Sequence, residues 1–232
     1  MRPMRAVSCA VALVLCLWAP VAHPEGPHFV SQQAVNFLLL LAPPPSPRDP
    51  RTTAELDELR RMRATRSVER VKLAKADVEE TVFRLMTVLD RPLTPEQLPK
   101  TTAFFKKLTE DVEFPTQVAK KGFARPRPYA VASDLEPVCP LSDSGAYPSG
   151  HTTVGYYMGV VLAAMVPEKR EAIFARMQEY AESRLYCGVH YRSDIEAGRI
   201  AGTALAALAM NNPDFQREFV VARGELRAVL GY

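Results

Sequence analysis

The stretch Ser183 to Asp194, SRLYCGVHYRSD, sets an arginine, a histidine and an aspartate at spacings suited to phosphate chemistry. Two upstream stretches carry complementary groups, KKGFARPRP over Lys120 to Pro128 and YPSGH over Tyr147 to His151. Hydrolysis of a phosphate monoester needs a cradle for anionic oxygens, an in-line nucleophile and an acid for the departing alkoxide. Lys120, Arg127 and Arg184 are the expected cationic cradle. Guanidinium groups offer paired donors to phosphate oxygens, and a lysine adds a mobile point charge. Ser149 and Gly150 stand where an apolar helix begins, where free N–H groups point at an anion and glycine lets the backbone come close.

The chain has four histidines, His23, His28, His151 and His190, and two of them fall in these stretches. Asp194 follows His190 by four residues, so it can accept a hydrogen bond from one ring nitrogen and hold the other as a lone-pair nucleophile. His190 is therefore the expected nucleophile, forming a phosphohistidine. His151, next to the Ser149–Gly150 cradle, is the expected acid for the leaving oxygen and base for the attacking water. One histidine must start neutral and the other charged, which predicts a bell-shaped, mildly acidic to neutral pH profile around histidine's reference value of about 6.5. No cofactor or metal is called for.

These groups need a scaffold to hold them. The chain is 47% hydrophobic and 24% charged over 232 residues, enough for one well-buried core. Arg2 and Arg5, an apolar run from Ala6 to Trp18, then Ala19 to Ala22, have the order of a secretory signal, so residues 1–22 are read as removed on export to the periplasm. A membrane anchor is the competing reading, but the apolar run is shorter than the roughly 20 residues of a spanning helix. Removing both arginines leaves 27 basic against 26 acidic side chains, no electrostatic footprint for nucleic acid. Export also leaves Cys139 and Cys187, an even pair that invites a disulfide worth ~3 to 4 kcal/mol by loop entropy.

Residues 23–51 read as an arm ending in FLLLLAP and a proline-rich segment, and 52–232 as one helical domain. A helix is predicted from Thr52, with Thr52 and Glu55 as a capping box and with Val68 and Val71 on its buried side. Val78, Val82, Leu85, Met86 and Leu89 predict a second helix. Thr94 is expected to cap a third that stops at Pro115, with a short helix resuming at Thr116 to carry Lys120. Apolar helices follow over His151–Val166 and Ile195–Met210, with an amphipathic one between them that Gly188 ends in a left-handed conformation. Ser193 and Glu196 are read as a capping box, Asn211-Asn212-Pro213 ends the helix they start, and a last helix runs to about Leu230. No strand alternation is present, so the fold class is all-α.

Lys-x6-Arg-Pro, Pro-Ser-Gly-His and Ser-Arg-x5-His-x3-Asp together resemble the tripartite signature of the type 2 phosphatidic acid phosphatase (PAP2) superfamily. GAYPSGHTT behind a secretory leader is similar to its soluble branch, the class A bacterial non-specific acid phosphatases. The resemblance implies a helical core of the PAP2/haloperoxidase type and a metal-independent phosphomonoesterase of broad range. It also implies phosphotransfer to alcohols, homo-oligomers and no stable membrane insertion. Tyr191-Arg192 stands where that branch usually has Trp-Gln, and Arg125 and Arg192 are expected to add positive charge beside the site, favouring more anionic substrates. The same residues would suit a vanadium haloperoxidase, a lipid phosphate phosphatase or a non-enzymatic phosphate-binding module. Chain length argues against the first and the lack of spanning helices against the second.

Overall fold

Residues 27–232 are described by the computed structural model, and the expected signal segment lies outside them. Among the described residues the chain forms helices and no strand: α1 (Phe37–Leu40), α2 (Pro50–Thr65), α3 (Val68–Ala76), α4 (Pro99–Phe123), α5 (Pro128–Val131), α6 (Gly150–Met165), α7 (Arg170–Tyr186), α8 (Arg192–Ala209) and α9 (Pro213–Leu230). The all-α expectation holds. No helix among them is long and apolar enough to cross a membrane.

Helix α6 forms the centre because it is apolar on nearly every face. Tyr157, Met158, Val161, Leu162 and Met165 are buried, against α4, α7 and α8, and such side chains each contribute roughly 1.5–3 kcal/mol on burial. Helix α8 lies close against it through Gly198 and Gly202. A Cβ on Gly202 would come within 2.3 Å of the Thr153 carbonyl oxygen, and one on Gly198 within 2.7 Å of the Ser149 carbonyl oxygen. That close approach lets the start of α8 touch the start of α6, where two of the three motif stretches meet.

Several local expectations are corrected. Helix α2 begins at Pro50 with Asp49 as its cap, accepting from the Arg51 N–H at 2.8 Å. Thr52 instead donates to the Ser46 carbonyl at 2.7 Å, and Glu55 is drawn into the interior. The charged run breaks at Arg66, Ser67 caps α3, and Val68 is 80% exposed, leaving Ala74 as the buried residue of α3. The stripe from Val78 to Leu89 buries Val82, Leu85, Met86 and Leu89, but in two 3₁₀ turns, Val82–Arg84 and Met86–Val88. Spacings of three and four serve either helix type, so the stripe alone does not choose between them.

Helix α4 continues through Pro115. The proline removes the bond to the Asp111 carbonyl, a cost of about 3 kcal/mol. Buried Phe104, Phe105, Leu108, Val112 and Ala119 on both sides of the break offset it. Lys120 therefore rides on the same rigid helix as the phenylalanine core. The arm packs on its own chain: the Phe29 ring lies 5.6 Å from Phe104 and 5.4 Å from Phe215, and the Phe29 N–H donates to Asp111 at 3.0 Å.

Candidate active site

The three motif stretches converge on one cavity of about 470 Å³, with Lys120, Arg127, Arg184 and His190 at its polar end and Gly150 and His151 beside them. Each arrives by a definable local structure. Lys120 comes from the last turn of α4, which ends with Ala124 in a left-handed conformation (φ 47°). Arg127 precedes α5. Arg184 lies in the last turn of α7, and Gly188 (φ 75°) then reverses the chain so that His190 sits between α7 and α8. Cys139 and Cys187 are joined in a disulfide, tying the turn below His190 to the span before YPSGH.

His190 is almost fully buried. Its Nδ1 donates to Asp194 Oδ2 at 3.1 Å, while its Nε2 accepts from Arg127 Nη1 at 2.8 Å. A ring whose Nε2 faces a guanidinium N–H must present a lone pair there. Burial first, then the charges of Arg127, Arg184 and Lys120, push His190 well below the usual histidine range, so the neutral form is the resting one.

Asp194 is completely buried and occupies the first turn of α8, accepting from the Tyr191 N–H at 2.9 Å. The Ser193–Glu196 capping box does not form. Asp194 itself makes the return contact, Ser193 turns to Glu55, and Glu196 pairs with Arg51. Behind Asp194 lies Arg125, donating to Asp194 Oδ1 at 2.5 Å and to Glu55 Oε2 at 3.0 Å, with its guanidinium over the Tyr191 ring at 3.9 Å. Burial pushes the Asp194 carboxyl up to about 7, and Arg125 in contact opposes only part of that rise. Arg125 is thus a buried support for Asp194 rather than added charge at the cavity. Arg192 is likewise committed elsewhere, to Glu58 at 2.6 Å and Glu182 at 3.3 Å. The expectation that these two arginines draw more anionic substrates is corrected: neither faces the cavity.

The three cradle cations differ from Arg125 in having no carboxylate partner among the described residues. Lys120 Nζ donates to Ser144 Oγ at 3.1 Å, and Arg127 donates to the Ser144 and Val189 carbonyls, both at 3.0 Å. Arg184 has only a long contact to Cys187 Sγ at 3.8 Å, and its Nε has no partner. Burial, with Arg127 nearby, brings Lys120 down to about 8, and burial brings Arg184 down to about 10. Concentrated, buried positive charge with no carboxylate in direct contact is costly unless an anion joins it.

At the start of α6, Ser149 is the cap and accepts from the Thr152 N–H at 3.3 Å. Its own N–H is taken by the Asp194 carbonyl at 3.0 Å, so the expected Ser149 backbone donor is not free. The Gly150 and His151 N–H groups lead the helix instead. A Cβ on Gly150 would meet only Thr116 Cγ2 at 3.7 Å, so protein packing does not itself demand glycine there.

His151 is held at both ring nitrogens. Nε2 lies 2.7 Å from the Val78 carbonyl and Nδ1 lies 2.9 Å from Glu80 Oε1. Both neighbours are acceptors, so the ring satisfies both only as an imidazolium. Sequence reasoning missed Glu80, Ser144 and the Glu55–Arg125–Ser193 support. Glu80 and Ser144 lie outside the motif spacings, and Glu55 carried a helix-cap signal that masked its role.

Comparison with protein-family models matches the PAP2 superfamily over residues 108–218. A non-specific acid phosphatase of Providencia stuartii is 28% identical, over 97% of this chain and 98% of its own. One of Salmonella typhimurium is 31% identical, over 88% of this chain and 86% of its own. Among solved structures, a bacterial vanadium-dependent iodoperoxidase superposes with a TM-score of 0.59 at 20% identity. That match covers 74% of this chain and 52% of the iodoperoxidase, and speaks to the fold alone.

Proposed function

The chain belongs to the PAP2 superfamily, with the bacterial non-specific acid phosphatases, and on that premise we propose that it hydrolyses phosphate monoesters through a phosphohistidine on His190. One observation carries the mechanism: a neutral Nε2 lone pair opens onto three buried cations that no carboxylate touches among the described residues. Lys120, Arg127, Arg184 and the leading N–H groups of α6 hold the phosphate oxygens. Arg127 passes its hydrogen bond from His190 to the phosphoryl group as the P–N bond forms. His151 protonates the leaving oxygen as the P–O bond breaks, then takes a proton from the water that cleaves the P–N bond. An alcohol in place of that water gives phosphotransfer. Asp194 keeps the proton on Nδ1 throughout.

The same proposal reads residues 1–22 as a signal that delivers the mature chain to the periplasm. It takes residues 23–51 as an arm on the 52–232 phosphatase domain. The test is hydrolysis of p-nitrophenyl phosphate, with and without chelator, by the wild type, His190→Ala and His151→Ala. Rapid acid-free quenching with radiolabelled substrate should trap label on the wild type and none on His190→Ala. Label on both proteins, phosphate binding without turnover, or vanadate-dependent bromide oxidation in place of hydrolysis would overturn the proposal.

A further inference from the structure

The segment that grips His151 is built with more care than an ordinary connection. It follows α3 and carries two contacts to one ring, the Val78 carbonyl on Nε2 and the Glu80 carboxylate on Nδ1. Its base is pinned by Asp77, which is completely buried. That carboxylate accepts from Arg84 at 3.1 and 3.0 Å, from Ser183 Oγ at 2.7 Å, and from Arg176. Higher up, Tyr180 donates to the Glu79 carbonyl at 3.1 Å and lays its ring along His151, 6.4 Å between centroids. Every anchor but Arg84 belongs to α7, the helix that also carries Arg184.

The two contacts on His151 are unlike. The Val78 carbonyl is fixed backbone. Glu80 is a side chain, 35% exposed, that lines the cavity. Nδ1 therefore faces the space a leaving group enters, and its present partner can swing away. We propose that Glu80 is a positioning residue for His151: it keeps the imidazole charged and turned toward the cavity, then yields Nδ1 to the leaving-group oxygen. The proton on Nδ1 goes to that oxygen as the P–O electron pair departs with it, and Nδ1 regains a proton from the incoming water. Glu80 gains and loses no proton of its own.

The charged and titratable neighbours that bear on the pair are Arg184 and Tyr180 from α7, Lys120 from α4 and His190 from the turn before α8. Burial pushes the Glu80 carboxyl up, but the His151 bond and charge, with Arg184 and Lys120, more than reverse that and hold it below its ordinary range. Glu80 is then anionic at working pH and favours the charged ring.

The inference rests on the reading of His151 as the acid, and the experiment separates the two. kcat/KM is measured across pH for Glu80→Gln, Glu80→Asp and His151→Ala on two substrates. One is p-nitrophenyl phosphate, whose leaving oxygen is a stable anion needing little help; the other is a simple alkyl phosphate, whose alkoxide must be protonated. Glu80→Gln should lose about tenfold on the alkyl ester and less than about threefold on the nitrophenyl ester. Its alkaline limb should move toward acid, as removal of a close opposite charge requires. Glu80→Asp should recover part of both effects. Equal losses on the two substrates, or an unmoved pH profile, would overturn the role of Glu80. If His151→Ala itself fails to discriminate between the substrates, the fault lies in the reading of His151.

Discussion

Two histidine–carboxylate pairs face each other across the cavity, made of the same chemical parts and set to opposite states. His190 and Asp194 lie four residues apart, both almost completely buried, with Arg125 and the Tyr191 N–H fixing the carboxylate from behind. His151 and Glu80 come from separate elements, 21% and 35% exposed. What separates them is the second ring nitrogen. On His190 it meets a donor, Arg127, inside a ring of cations; on His151 it meets an acceptor, the Val78 carbonyl. A carboxylate partner orients an imidazole in both cases, but the group on the far nitrogen decides whether the ring offers a lone pair or a proton.

The sharpest way to break this contrast is to remove each ring. His190→Ala should lower kcat by about 10⁴-fold or more, as loss of a nucleophile does. His151→Ala should cost about 10²–10⁴-fold, less for esters with stable leaving anions. Steady-state rates over a series of aryl and alkyl phosphates check both, and parallel losses over the series would erase the distinction. Asp194→Asn comes next. It should cost about 10³–10⁴-fold in kcat by losing control of the Nδ1 proton. It should also lower stability by about 3 kcal/mol in urea titrations, because Arg125 keeps its burial and loses a partner.

A smaller effect tests the cationic surroundings that keep His190 neutral. Lys120, at about 8, loses its proton as pH rises through that value, so kcat/KM should show a further fall near pH 8, separate from the limb on which His151 loses its acid proton. Lys120→Arg should abolish that further fall and leave the His151 limb in place. No acid limb should appear at the ordinary histidine value from His190, since its protonation is displaced well below it. Smallest of all is Gly150→Ala, expected to raise KM less than about tenfold, roughly 1 kcal/mol. Its melting temperature should barely change, because the added methyl meets only Thr116.

The His190 pair was legible in the sequence and the His151 pair was half legible, for a physical reason. Arg184, His190 and Asp194 sit on one helix end, one turn and one helix start, where spacing along the chain dictates spacing in space. Glu80 reaches His151 across 71 positions through a segment whose apolar stripe suits α and 3₁₀ periods alike. Pro115 misled for the opposite reason. Its local rule is sound, but burial along both halves of α4 outweighs one lost hydrogen bond. Arg125 shows the same limit: as a letter beside the motif it read as added positive charge at the site, and only the fold sets Glu55 and Asp194 around it.

The Cys139–Cys187 bond makes a closed covalent ring of the chain between them, and Ser149, Gly150, His151 and Arg184 all lie on that ring. A single peptide cleavage inside it, for instance at exposed Leu141, would open the ring without dividing the molecule. Both ends of the break would stay tethered at the base of the site. A nick that would leave the reduced chain as two covalently separate pieces would in this way leave the oxidised one a single covalent molecule.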